Sequence, residues 1–345
     1  PAEGESTEGE GELPVEGEPV VVLGELVDVP AGTFQMGRPY RDEEASISEV
    51  PVHDVYLDAY RIGKYEVTNQ EYADVLKWAQ SRGYLNNSSG GVYTGGLIYA
   101  YGQPVADTKS SDDYSQITYS DGTFSVCSRE GHGGVLYSMA DHPIVFVSWY
   151  GAVCYCNWLS EQQGLQACYD TSNWARYEPL RNGYRLPTEA EWERAAAWDG
   201  TRHWRYGMTS HTIDSTRANN GRNWSEPNPL GLTDGPYTSP VGWYNGVNPA
   251  RVSAPGTLTV NAMSPIGAYD MSGNVLEWCH DRWCRVYTTE PVSNPAGPSS
   301  GSYRLHRGGA WRSNSADSCR SANRSCSDPA YRSGFIGFRV ACASD

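Results

Sequence analysis

Apolar and polar residues alternate along Val52-His53-Asp54-Val55-Tyr56-Leu57-Asp58-Ala59-Tyr60, which predicts a half-buried strand. Upstream, Val20-Val21-Val22-Leu23 and then Leu26-Val27-Asp28-Val29 before Pro30 predict strand followed by turn. Helical spacing begins after Thr68, where Thr68 and Glu71 form a capping-box pair and the helix runs to about Ala79. Pro143 to Val147 is a short apolar run with the length of a buried strand. Ser148 caps a second helix from Trp149 to about Gln163, stopped by Gly164. Thr188 and Glu191 form another capping box, opening a third helix that runs into Ala195-Ala196-Ala197.

Two regions lack such periodicity. Residues 80–140 are rich in Gly, Ser, Tyr and Asp and read as an insertion of loops and short hairpins. Beyond Gly200 no long helical pattern occurs, and turns, aromatics and short strands lead to Ile336-Gly337-Phe338-Arg339-Val340-Ala341. A stretch that long needs some ordering device other than helix packing, and bound metal ions are one.

Composition narrows the class. The chain of 345 residues carries a net charge of −15, and seven of its carboxylates (Glu3, Glu5, Glu8, Glu10, Glu12, Glu16, Glu18) lie in the first twenty residues. The remainder has an ordinary acidic excess, which argues against a nucleic-acid partner. No apolar run approaches the roughly 20 residues of a membrane span, so no direct membrane insertion is expected. The 12 Trp, 24 Tyr and 37 Gly suggest large rings packed under irregular backbone. Only Lys64, Lys77 and Lys109 are lysines among 26 basic residues, and arginine suits fixed hydrogen bonding that ties loops down.

Residues 1–20 form an acidic Glu/Gly-rich tract that buries nothing and reads as an extended tether before a domain at 21–345. The first residue is Pro1, not Met, and such a tether suits an exported protein, secreted or displayed at the cell surface, with self-assembly or a partner module reached through it. The nine cysteines (127, 154, 156, 168, 279, 284, 319, 326 and 342) include no CxxC pair, so either one to three disulfides or a set of buried thiols is open.

Seven landmarks follow in order: Val29-Pro30-Ala31-Gly32-Thr33-Phe34-Gln35-Met36-Gly37, Tyr65-Glu66-Val67-Thr68-Asn69, Pro143 through Trp149, Tyr184-Arg185-Leu186-Pro187-Thr188-Glu189-Ala190-Glu191-Trp192-Glu193, Tyr269-Asp270-Met271-Ser272-Gly273-Asn274-Val275-Leu276-Glu277-Trp278, Arg307-Gly308-Gly309-Ala310-Trp311 and Gly337-Phe338-Arg339-Val340. Over residues 24 to 341 this resembles the formylglycine-generating enzyme family, the sulfatase-modifying-factor domain. The resemblance implies a single compact α/β (α+β) domain with a C-type-lectin-like core, low regular secondary structure and structural calcium.

The turn holding Asp270, Gly273, Val275 and Glu277 offers two carboxylates and two carbonyls, the hard oxygen set Ca²⁺ prefers. By resemblance these four match one family calcium site. A second would use Asn219, the Asn220 carbonyl, Asp234 and the Pro236 carbonyl. The alternative is that Asp270 and Asn274 cap a turn and hold nothing.

Catalytic relatives bind copper through two cysteines after the Gly-Gly strand, and Cu(I) requires such soft ligands. Here the first position is Ser313, and the second falls on Ala316 or Ser318, leaving Cys319 without a partner at that spacing. No copper is expected, and no catalytic residue is assigned. There is no GxSxG, HExxH or phosphate-binding loop. The seven histidines do not cluster, and His142 and His280 read as loop hydrogen-bonders. Cys319 and Cys326 read as structural, with a redox pair as the alternative.

Between apolar and arginine framework positions, residues 311–335 carry Ser, Asp, Gly, Tyr, Phe and Arg, as a contact surface does. Trp311, Arg312, Ser313, Asn314, Asp317, Ser318, Tyr331 and Phe335 are the candidate ligand-binding residues, for a protein or glycan. The segment also resembles the variable region of retroelement-diversified ligand-binding proteins; drift at exposed loops explains it as well. The reading is an exported, calcium-stabilised binding or structural protein, against a formylglycine-type oxidase or other modifying enzyme.

Overall fold

Thr68 and Thr188 each accept a hydrogen bond from the amide three residues on, while Glu71 and Glu191 reach back to the cap amides. These reciprocal pairs start helices α1 (Asn69–Ser81) and α3 (Glu189–Ala197). Ser148, whose hydroxyl accepts the Gly151 N–H, starts α2 (Trp149–Gln162). The computed structural model describes residues 21–39, 46–221, 228–250, 256–313 and 315–344, so the expected tether at 1–20 lies outside the described residues. After Ala197 the described residues contain no α-helix.

Strands β1 (Leu26–Val29), β2 (Gly32–Met36), β3 (His53–Leu57) and β4 (Tyr60–Gly63) open the domain. β5 (Leu276–Arg282), β6 (Val292–Ser293), β7 (Arg304–Arg307), β8 (Ser325–Ser327), β9 (Ile336–Gly337) and β10 (Ala341–Ala343) close it. They form three small sheets ordered β1-β4-β10, β6-β3-β2 and β8-β7-β5-β9, the β5–β9 and β3–β6 pairs being parallel. Within 98–138, three short hairpins are added. The whole is a mostly sheet-based, compact domain with few helices.

Three expected strands change shape. Val20 lies outside the described residues, and 21–23 are not strand: Val22 is 80 % exposed, and Gly24 N–H is held at 2.6 Å by Glu71 instead of by a sheet. The alternating run 52–60 breaks at Asp58-Ala59 into β3 and β4, which join different sheets. Residues 143–147 are buried but make only isolated bridges, because Ile144 N–H bonds Val67, Phe146 N–H bonds Ser333 and Phe146 takes φ +57°. Residues 336–341 hold two short strands, β9 and the start of β10.

Buried tryptophans join the layers through their indole N–H groups. Trp149 donates to Cys279 O at 3.0 Å, Trp278 to Val147 O at 3.1 Å and Trp192 to Glu277 at 2.8 Å. Every residue of α3 is buried, including Glu189, Glu191, Glu193 and Arg194. Such burial is tolerable only with partners, and arginines supply them: Arg324 and Arg307 of the long irregular region bond Glu189 and Glu193, and Arg185, just before the helix, bonds Glu191. Although burial opposes ionisation, Arg185 holds the Glu191 carboxyl below its ordinary value. Arg320 clamps Glu49 in the same manner. Ion pairs made by arginine therefore order much of the helix-free half. All nine cysteines are free thiols, six of them buried.

Candidate functional site

The sheet β8-β7-β5-β9 and the loop after β7 enclose a cleft of about 580 Å³. Gly308 and Gly309 take φ +94° and +72°, and a side chain at Gly309 would meet Cys319 Sγ at 2.6 Å. Only glycine allows the loop to wrap that sulfur so closely. A turn follows, in which Ser313 N–H bonds Ala310 O and the Ser313 hydroxyl accepts the Ala310 N–H, both at 2.9 Å.

Leu276, Gly309, Ala310, Arg312, Ser313, Ser318, Asn323, Ser325, Tyr331 and Phe335 line the cleft. Five of the candidate ligand residues thus share one space: Arg312, Ser313, Ser318, Tyr331 and Phe335. Trp311 does not line it. Its ring packs among Val145, Phe146 and Val275, its indole N–H bonds Gly334 O at 2.8 Å, and it anchors the loop from behind. Asp317 is turned to Arg205 at 3.1 Å and Arg320 at 3.5 Å. Asn314 lies outside the described residues. Leu276, Asn323 and Ser325 escaped the sequence reading because they sit on or beside framework strands; the parallel register of Leu276 with Ile336 brings the first in.

Cys319 is buried beside the cleft, and burial pushes its thiol up to about 12, with Ser313 and Ala310 nearby acting weakly in the other direction. It is therefore a thiol at neutral pH, whereas nucleophilic and metal-binding cysteines act as thiolates. Cys326, on β8 opposite Leu305, is partly buried and is also pushed up by burial.

The turn after Tyr269 is built on left-handed backbone at Asp270, Gly273 and Asn274 (φ +60°, +95° and +59°). Asp270 accepts the Gly242 N–H at 2.6 Å, and burial pushes its carboxyl up to about 6. Glu277 is held at 2.6 Å by both Nε and Nη2 of Arg339 and at 2.8 Å by Trp192. A third carboxylate, not singled out from the sequence, is Glu66: it accepts Val275 N–H at 3.2 Å and Asn274 Nδ2 at 2.7 Å. Burial first, then Asp270 and Glu277, push Glu66 well above its ordinary value. Three buried carboxylates with one guanidinium among them leave negative charge uncompensated, which fits a hard divalent cation. Among the described residues no three His, Cys, Asp or Glu side chains form a metal-holding group by themselves, so a cation here would need the Gly273 and Val275 carbonyls too.

At the second expected site the donors are engaged differently. Asn219 donates to Tyr237 O at 2.8 Å and its carbonyl accepts Asn274 N–H at 2.8 Å, joining this loop to the acidic turn. Asn220 Nδ2 is buried without a hydrogen-bond partner among the described residues. Asp234, 65 % exposed, faces Arg129 at 3.5 Å and its own Gly235 N–H at 2.9 Å, next to Pro236. The first turn fits a cation better in charge than this one does.

His142 and His306 are neutral structural groups. Burial lowers His142 and His306 to about 3, and they pair with the hydroxyls of Thr238 at 2.9 Å and Ser327 at 3.0 Å.

The family model described as the sulfatase-modifying factor enzyme 1-like domain matches residues 14–344. A formylglycine-generating enzyme of Thermomonospora curvata is 30 % identical over 332 residues, covering 93 % of each chain. One of Bos taurus is 27 % identical over 331 residues, covering 93 % of this chain and 74 % of that one. Among solved structures, Treponema denticola variable protein 1 superposes with a TM-score of 0.58 at 24 % identity, covering 92 % of this chain and 95 % of that one, a likeness of fold.

Proposed function

The chain belongs to the sulfatase-modifying factor enzyme 1-like family, and from that membership we propose that it is a binding protein which keeps the family's scaffold and has lost its copper chemistry. One observation carries this reading: a hydroxyl, Ser313, faces the sulfur of Cys319 across the cleft wall. Two thiolates hold Cu(I) in a linear or near-linear grip, and an alcohol is too hard and too weakly acidic to replace one. Burial disfavours the thiolate of Cys319, the sulfur beside it.

What lines the cleft suits recognition. Arg312 supplies a fixed charge, Tyr331 and Phe335 supply rigid aromatic surface, and Ser313, Ser318, Asn323 and Ser325 supply adaptable hydrogen bonding. A protein loop or a glycan is the ligand this mixture favours. Calcium at Asp270, Gly273, Val275 and Glu277 would brace the strand β5 that forms one wall; bound there, it supplies charge to a buried acidic turn. The acidic segment 1–20 supports display of the domain outside the cell.

The competing reading is a modifying enzyme, favoured by the same cleft with Cys319 beside it and by 93 % mutual coverage with a formylglycine-generating enzyme. Incubation with Cu(I), oxygen and a Cys-x-Pro-x-Arg peptide separates the two. Mass spectrometry should find the peptide cysteine unchanged, and conversion to an aldehyde would overturn the proposal. On arrays of immobilised peptides and saccharides, the protein should select a subset that Tyr331→Ala no longer binds.

A further inference from the structure

Arg282, the last residue of β5, and Arg304, the first of β7, are direct cross-strand partners. Like charges facing one another destabilise a strand pair, and neither arginine has a carboxylate within ion-pair distance among the described residues. Arg304 is buried, its guanidinium 3.6 Å from the centre of the Trp149 ring, and it donates to His280 O at 2.6 Å. Burial, then the charge of Arg282, lowers it to about 10.

His280 carries the same signature. It is buried with Nδ1 unpartnered, and burial followed by Arg176, Arg304, Arg185 and Arg282 holds its ring well below the ordinary value. The neighbouring acids are committed elsewhere. Asp281 accepts the Glu189 N–H at 2.8 Å, Asp328 accepts the Ala330 N–H at 2.8 Å, Glu178 holds Arg176 at 2.7 Å and Glu191 holds Arg185. In a chain of net charge −15, Arg282 and Arg304 have no ion-paired carboxylate among the described residues, and Asp281 offsets Arg304 only from a distance.

Beside it lies a half-buried aromatic pair, Tyr150 and Trp174, with ring centres 4.6 Å apart. Tyr150 is within electrostatic reach of Arg304 and Arg282. Trp174 stands at the turn of the hairpin joining residues 169–170 to 175–176, with φ +62°. A bulky residue takes that conformation only where its surroundings impose it.

We propose that Arg282 and Arg304, with Tyr150 and Trp174, form a ligand site separate from the cleft that takes an acidic saccharide, its sulfate or carboxylate against the arginines and its sugar ring against the aromatic pair. Arg282, partly exposed, is the arm that meets the anion, and Arg304 is the buried charge behind it. Charge-assisted hydrogen bonds from arginine are strong enough for the anion to decide binding.

Isothermal titration with a heparin-derived tetrasaccharide and its desulfated form tests the site. The sulfated form should bind at least about tenfold more tightly, a difference of about 1.4 kcal/mol. Arg282→Gln should lose that advantage, and Arg202→Gln, at an exposed arginine elsewhere, should keep it. Equal binding of the two saccharides, unaltered binding by Arg282→Gln, or equal loss in Arg202→Gln overturns the proposal. Arg282→Glu reads the charge directly: placing a carboxylate opposite Arg304, it should melt higher than the parent at low salt without saccharide and bind none. A lower melting temperature contradicts an uncompensated pair.

Discussion

The Ser313 hydroxyl lies close enough to the buried Cys319 sulfur to favour its thiolate against the effect of burial. The substitution Ser313→Cys should therefore place a second sulfur beside Cys319. Reduced, loaded with Cu(I) and desalted, that variant should retain about one copper per chain by elemental analysis, where the parent retains none. Equal retention by both would show that position 313 does not decide metal binding.

Arg339 ties together Glu277, the carbonyls of Gly63 and Tyr269, and through them β4, β5 and the acidic turn. Arg339→Met leaves Glu277 buried with only Trp192 as donor, and breaking a buried pair in this way costs about 3–5 kcal/mol. Urea unfolding should show a loss of that size, with Glu277→Gln costing less because Glu66 and Asp270 still face the Arg339 charge. A loss under 1 kcal/mol in Arg339→Met would mean the network is not what holds β5.

Asp281 gives a pH dependence with a definite sign. Burial, then Glu189, pushes its carboxyl up to about 7, while it accepts the amide at the start of α3. A group raised in the folded state binds its proton more tightly there than when unfolded. Its contribution is full below about 4 and declines by up to about 1.4 kcal/mol per pH unit as the pH rises towards 7. Asp281→Asn keeps the acceptor and cannot ionise, so its unfolding free energy should fall less between pH 5 and pH 8 than that of the parent. Parallel curves would place the titration elsewhere.

The acidic turn predicts a response to calcium. If Ca²⁺ binds the folded chain alone, adding it to 100 times its dissociation constant stabilises by about 2.7 kcal/mol. Differential scanning fluorimetry should show a higher melting temperature in calcium than in chelator, with Glu66→Gln and Asp270→Asn reducing the gap. Identical melting in both buffers would mean that protons and Arg339 alone balance the three carboxylates.

Periodicity exposed the three helices because each has a side-chain cap next to its first turn, at Thr68, Ser148 and Thr188. The strands were less legible. Residues 143–147 are as apolar as any strand, yet each backbone group finds a different neighbour, and an apolar run cannot distinguish those cases. Ordered motifs placed the Ser313 position and the acidic turn in sequence, but not their third participants. Glu66 lies some 200 residues from Asn274 and meets it only through the fold (|i−j| = 208). Nothing in the sequence pairs Arg282 with Arg304, and only the register of β5 and β7 sets them face to face. Arginine-rich composition did hint at how the helix-free half is ordered, since Arg307, Arg320, Arg324 and Arg339 all bond buried carboxylates.

X-ray absorption at the copper edge, on the reduced protein given one equivalent of Cu(I) and passed through a desalting column, tests the central claim most directly. The account predicts no bound copper and no copper–sulfur scattering. One copper per chain with two sulfur ligands would contradict it.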